Sequence, residues 1–312
     1  MHRFIWILMV TALATVTHAQ SPAAAYEPPA TDQAETLIVT HKRQEFGDPN
    51  RKTFEQLVLQ LALEKTRQKT GEFEMVPIDV ISRTHAIAAL EQNIYDNFVM
   101  LLSFEDALLK SGNLIFIPFP IELGALSYRI CYANKKLVPQ VQQINNLQQL
   151  KAFKLGVGAG WVDAKILQHH GLQIVEGSNI TSLFRMTQAG RVDIFCPSPT
   201  EYFHDLRAEK SADLQLDNKL ALYYPLPKFI FTNKHNKALL ERIQEGIEIA
   251  YKDGSYLELW RSFHEADMRR AKLSERHFIR MENPFITTLP NDYKQYLFSP
   301  LNKTIGAYSP TN

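Results

Sequence analysis

The sequence predicts an α/β protein of two unequal lobes. Each is a mostly parallel sheet flanked by helices, the second is inserted into the first, and two chain crossings form a hinge. Three observations lead there. Apolar strand-like runs alternate with amphipathic helices in β-α-β-α-β order, which places successive strands parallel. The 312 residues, 45% hydrophobic and 11% aromatic, suffice for two packed cores. A late helix pair has few strands of its own to cover, so it packs back on the first sheet and makes the first lobe discontinuous.

Residues 1–19 (MHRFIWILMVTALATVTHA) open with His2 and Arg3. They continue as an apolar run, Phe4–Val16, and end in small residues before Gln20. The run is shorter than the ~20 residues that span a bilayer, so it reads as a secretory signal peptide cleaved near Ala19. Residues 20–33 (QSPAAAYEPPATDQ) are rich in Pro and Ala and predict a flexible leader. Glu35–Thr40 then predicts a strand. Asp48-Pro49 suits the cap and first residue of a helix running to Gly71, with Phe54, Leu57, Val58 and Leu61 inward. Strands are expected at Phe73–Ile81 and Ile94–Leu101 around the helical Thr84–Gln92, and Asn113–Tyr132 reads as a long extended crossing.

A second cycle follows, with strands at Phe153–Val157, Leu172–Val175 and Arg191–Phe195 and helices at Val162–His170 and Ile180–Gln188. Leu220–Tyr224 and Lys228–Thr232 read as strands. Lys237–Lys252 is amphipathic, with Leu239, Leu240, Ile243, Ile247 and Ala250 inward, and a further helix starts at Ser255 with Leu259, Trp260 and Phe263. The expected division is residues 34–129 and 224–312 in lobe 1 and residues 130–223 in lobe 2.

Charge and motifs exclude several functions. With 34 Lys+Arg against 33 Asp+Glu there is no basic excess to bind nucleic acid. The strand–turn–helix Gly156-Val157-Gly158-Ala159-Gly160-Trp161 imitates a dinucleotide fingerprint, but the third glycine position holds Trp161 or Asp163, and an indole there blocks close packing of helix on strand. What survives is a helix start at Gly160, Trp161 and Val162 whose free N–H groups favour an anion, or a plain turn with a packed Trp. The ten histidines form no metal-ligand spacing: His169 and His170 are adjacent, and His264-Glu265 lacks its second His. No metal and no cofactor is expected. Cys131 and Cys196 fit either a disulfide in an oxidising compartment or two buried small hydrophobes. Arg129, among apolar neighbours, needs an anionic partner: an internal carboxylate such as Glu122, or a ligand carboxylate or phosphate.

Three stretches carry a resemblance. They are D48-P-N-R-K-T-F-E-Q-L-V-L-Q-L-A-L-E-K-T; L155-G-V-G-A-G-W-V-D-A-K-I-L with S182-L-F-R-M-T-Q-A-G-R-V-D; and I243-Q-E-G-I-E-I-A-Y-K-D-G-S-Y-L-E-L-W. In their order and spacing the chain, over about residues 35–285, resembles the type 2 periplasmic solute-binding proteins (extracellular solute-binding family 3), particularly a branch of solitary exported members. The resemblance implies a periplasmic monomer that captures a small polar or anionic solute between its lobes by hinge closure and presents it to an ABC permease or a membrane sensor. Carried over by position, it implies a wall from the loop His41–Arg51 and from Ser103 and Phe104. Tyr128 and Arg129 would come from the hinge, and Gly160, Trp161, Val162, Ser198 and Glu201 from lobe 2. Amino-acid binders of the family place an Asp where Ser198 stands, following their G-R-[VIL]-D motif, here Gly190–Asp193; a neutral hydroxyl does not replace that charge. The alternative that the resemblance allows is a lyase like cyclohexadienyl dehydratase, for which His41, Glu45 and Glu201 are the candidate acids.

Overall fold

The chain divides into two units, residues 1–34 and 35–312. The computed structural model describes residues 36–43, 52–79, 82–201 and 213–299, with the backbone of 304–305, all in the second unit. The signal, the leader, Glu45 and the expected Asp48-Pro49 helix start lie outside the described residues.

Lobe 1 is built on a five-stranded sheet. Strands β1 (Leu37–Lys42), β2 (Phe73–Ile78) and β3 (Phe98–Ser103) are parallel, with α1 (Phe54–Thr70) and α2 (Arg83–Glu91) as crossovers. The return strand β10 (Lys228–Asn233) runs antiparallel between β3 and β4 (Leu114–Phe116), which gives the order β2-β1-β3-β10-β4. The first helix begins later than its Asp-Pro pair suggests. Thr53 is the N-cap, and Thr53 and Gln56 exchange side-chain and backbone bonds in a capping box.

Lobe 2 holds six strands: β5 (Tyr128–Asn134), β6 (Lys154–Gly158), β7 (Gln173–Gly177), β8 (Ile194–Phe195), β9 (Leu214–Tyr223) and β11 (His277–Arg280), in the order β11-β9-β5-β8-β6-β7. Short α3 (Val138–Val141) and α4 (Leu147–Leu150) precede α5 (Val162–His169) and α6 (Ile180–Gln188). The second and third of the expected strands run longer or shorter by a few residues, whereas α6 matches its expected span. Both sheets are mixed, because β5, which enters lobe 2, and β10, which leaves it, run antiparallel to their neighbours.

The late helices α7 (Lys237–Lys252) and α8 (Ser255–Arg270) return to α1, as the discontinuous-lobe reading requires. One part of that reading is corrected. Residues 224–312 do not all belong to lobe 1, since β11 pairs in parallel with β9 and extends the second sheet. The open edge of β9 has unpaired backbone groups, and a strand arriving there satisfies them. The chain then returns to lobe 1, where the Asp106 carboxylate accepts bonds from the backbone N–H and hydroxyl of both Thr287 and Thr288.

The buried face of α1 is Phe54, Val58, Leu59, Ala62, Leu63 and Thr66; Leu57 and Leu61 are only partly covered. The shift from the expected stripe arises because α1 is wedged between the sheet and α7. Close contact there depends on Gly246, where a Cβ would fall 2.0 Å from the Ala62 carbonyl oxygen. That oxygen is backbone and cannot rotate away. Gly246→Ala gains about 1 kcal/mol of helix propensity but overpacks the contact, which costs roughly 1–3 kcal/mol and more where backbone must move. We expect a net loss, seen as a lower thermal midpoint in circular dichroism; an unchanged or higher midpoint would show that the helices separate freely.

Candidate functional site

Strand β5 begins at the hinge, and its alternation decides what the site contains. Tyr128, Ile130 and Tyr132 face the core shared with α6, while Arg129 and Cys131 face the opposite layer with α5. Arg129 is 2% exposed. Its Nη2 lies 2.7 Å from Asp163 Oδ1, its Nη1 donates to Glu201 Oε2 at 3.1 Å, and its guanidinium lies over the Tyr224 ring at 5.3 Å. Tyr224 in turn donates its hydroxyl to Asp163 Oδ1 at 2.7 Å.

Both carboxylates stand at helix starts. Asp163 is in the first turn of α5. Glu201 closes a capping box written Ser198-Pro199-Thr200-Glu201: the Glu201 N–H donates to Ser198 Oγ at 3.2 Å and the Ser198 N–H donates to Glu201 Oε2 at 3.1 Å, as the chain turns helical. One cation between two carboxylates leaves a formal excess of one negative charge, which helix N-termini, each worth about half a positive charge, offset. Burial alone would lower the Arg129 pKa; the attraction of Asp163, Tyr224 and Glu201 outweighs it and the pKa is raised. Burial pushes the Tyr224 hydroxyl far up, with Arg129 opposing and Asp163 adding to the rise. Two residues along the same face of β5, Cys131 forms a disulfide with Cys196. It fastens the segment leading to Ser198 and Glu201.

Glu122, an expected partner for Arg129, is elsewhere: its Oε2 lies 3.0 Å from His264 Nε2. The start of α5 carries a carboxylate of its own, Asp163, in its first turn. The indole of Trp161 lies on Gly158, where a Cβ would fall 2.0 Å from the ring, so that glycine serves the tryptophan rather than a nucleotide. A small pocket beside it, lined by Gly156, Trp161, Asp163, Cys196 and Tyr224 among others, has room for about one water molecule.

The remaining expected residues divide. Ser103 ends β3 partly exposed, and in the turn before α5 Gly160 is exposed while Trp161 is half-buried against the core. Four are committed to the interior, which corrects their expected place in a ligand wall. Phe104 is fully buried, its ring against Phe116 and Phe229. Val162 is in the lobe 2 core. Tyr128, by strand alternation, points away from Arg129 and packs on Tyr223 and Phe278. Ser198 is fully buried as a cap. Of the candidate acids, His41 is buried, its Nδ1 lies 3.0 Å from the Lys42 carbonyl oxygen, and burial lowers its pKa.

Asp163, Tyr224, Arg83, Glu105 and Lys165 were not foreseen. The S-P-T-E run was a legible capping signal; the other contacts join residues far apart in the chain and left no local pattern. Glu105 follows β3, and its carboxylate receives Arg83 Nη2 at 3.2 Å and the Lys165 Nζ of lobe 2. Arg83, at the first residue of α2, also donates to the Gly160 carbonyl oxygen of lobe 2 at 3.4 Å. The C-terminal ends of β3 and β6 therefore face one another across a narrow cleft. Beneath them in lobe 1, Glu55 accepts the Leu101 N–H at 2.9 Å, a donor that β1 leaves free because it pairs β3 only as far as Val99. Among the described residues no cluster of His, Cys, Asp or Glu could hold a metal ion, and no helix is long and apolar enough to cross a membrane.

By sequence the chain matches no family model and no curated protein. By structure it is similar to an ancestral arginine-binding protein bound to arginine, at 20% identity and TM-score 0.53, over 74% of this chain and 99% of that one. It is similar also to a GluR0 ligand-binding core in complex with L-glutamate, at 13% identity and TM-score 0.55, over 74% and 98%. A third is a histidine kinase sensor domain with similarity to periplasmic binding proteins, at 18% identity and TM-score 0.53, over 75% and 98%. The fold is thus the two-lobed α/β fold of the type 2 periplasmic solute-binding proteins.

Two expectations follow from the site. Arg129→Ala leaves two carboxylates without their cation, a change that costs about 3–5 kcal/mol; Glu201→Gln, which keeps the cap and removes the excess charge, should cost less than half of that. Urea melts of the two variants check the order, and equal losses would show that Arg129 is not the centre of the cluster. Glu55 gives a pH signature. Burial raises its pKa, the Leu101 N–H, Lys228 and Lys42 pull it down, and Glu122 adds to the rise. Such a carboxyl holds its proton more tightly when folded, so its contribution to stability is full below the ordinary value of 4.5 and is lost as pH climbs through the folded value. Glu55→Gln keeps an acceptor for Leu101 and removes the titration. Relative to the parent, it should gain stability as pH rises above the ordinary value of 4.5; a flat difference would exclude a raised Glu55.

Proposed function

We propose that this is an exported solute-binding protein, periplasmic in location, which takes a small polar solute into the cleft between its lobes and presents the closed form to a permease or membrane sensor. The observation that carries the reading is the facing of the two sheets. The C-terminal ends of β3 and β6 and the N-termini of α2 and α5 meet across one crevice, and open α/β sheets bind ligands outside the carboxyl ends of their strands. Charges of both signs stand at that crevice: Arg83 and Lys165 with Glu105.

The anionic preference first read from Arg129 loses its basis, because Asp163 and Glu201 already neutralise that arginine. A solute bearing both charges, or none, fits the lining better than a simple anion. The structural neighbours bound to arginine or L-glutamate agree with a small polar ligand. The reading is of a binding protein rather than a lyase, since the buried His41 and the Arg129-bound Glu201 are poorly placed to hand a proton to a solute.

A thermal-shift screen of the mature protein against amino acids, short polyamines, organic acids and sugars tests it. A binder present at a hundredfold its Kd stabilises by about 2.7 kcal/mol, so at least one class should raise the midpoint by several degrees. No shift with any class at millimolar concentration would overturn the reading.

A further inference from the structure

Glu105 is held at once by cations from both lobes. Its side chain is 6% exposed, that of Arg83 is 23% exposed, and that of Lys165 is 50% exposed. A carboxylate this buried needs its partners, and one of them is on the other lobe. Opening the cleft removes Lys165 from Glu105 and Arg83 from the Gly160 carbonyl in the same motion. The segment that carries Glu105 is stiff. Its neighbour Asp106 is tied to Thr287 and Thr288, and the preceding Phe104 is locked in the aromatic core and donates its N–H to the Pro227 carbonyl at 2.9 Å. Glu105 is therefore a fixed point on lobe 1, and Lys165, on the first turns of α5, is the mobile half of the contact. The half-exposed lysine places the pair at the rim of the cleft, open to salt, rather than in its depth.

We propose that Arg83, Glu105 and Lys165 form an interlobe clasp that holds the cleft shut without solute. The closed state is then set by an internal ion pair, and a solute enters only during its openings. A clasp that favours the binding-competent closed form raises the apparent affinity for whatever solute is taken. Only that last consequence rests on the proposed function; the clasp itself is measured with no solute present.

The test is small-angle scattering of the mature protein, with spin labels on surface positions of the two lobes to report their separation. The parent at about 20 mM salt should be compact. Lys165→Glu, which sets two carboxylates against one another on a side chain exposed enough to spare the fold, should raise the radius of gyration by about 1 Å and lengthen the label distance. Glu105→Gln and Lys165→Gln should each open the protein partly. The double variant should open it no further than either single one, as coupled partners require. High salt should open the parent, because the rim pair is screened, and leave Glu105→Gln unchanged. A Lys165→Glu protein with the parent's radius and label distance at low salt would overturn the clasp, as would additive effects in the double variant. If Glu105→Gln fails to fold, the two Lys165 variants and the salt series still decide it.

Discussion

The structure depends on a buried arginine that two helix starts share. Arg129 sits where the chain first crosses into lobe 2, and a guanidinium with so little exposure is tolerable only if carboxylates meet it. Asp163 and Glu201 do so from separate segments, one heading α5 and the other closing a capping box. Hinge strand, helix and loop are thereby fixed to one another through a single planar group whose fork presents donors in two directions. The same requirement explains why Tyr224 is oriented by its hydroxyl.

The disulfide repeats the connection one alternation further along. Arg129 and Cys131 lie side by side on one face of β5, and both reach toward the segment after β8. By chain-entropy reasoning a loop closed over 65 residues is worth about 4 kcal/mol, comparable to the ion cluster. A covalent bond in that position suits an oxidising compartment. Lobe 2 is thus cross-linked at its hinge end by one covalent bond and two ion pairs.

Electrostatics at the cleft follow one pattern. Two groupings of cations are met by carboxylates of the chain: the buried Arg129 by Asp163 and Glu201, and Arg83 and Lys165 by Glu105. The two groupings differ in where the partners reside. The first joins segments of one lobe and its hinge and serves stability; the second joins opposite lobes and so couples charge to closure. That difference in placement, rather than in chemistry, separates a structural ion cluster from a conformational one.

The sequence alone determined the alternation of elements, the fold class, and the stripes on α7, because each is written in local periodicity and each apolar position is decided by its own helix. It also contained the Ser198–Glu201 capping box and the two cysteines that pair. It did not determine the partner of Arg129. Glu122 was near in sequence and suitable in charge, yet the turn that carries it sets it against His264, while Asp163 and Glu201 arrived from distant helix starts. Nor did it determine that Phe104 and Tyr128 would be spent on packing, since one step of strand alternation moves a side chain from cleft to core. The return of β11 to the second sheet was decided only by an open strand edge, and the Glu105 contact only by the approach of two lobes. Local pattern fixes which elements form; which charges meet is settled by how far the folded chain brings them, and that lies in the tertiary structure.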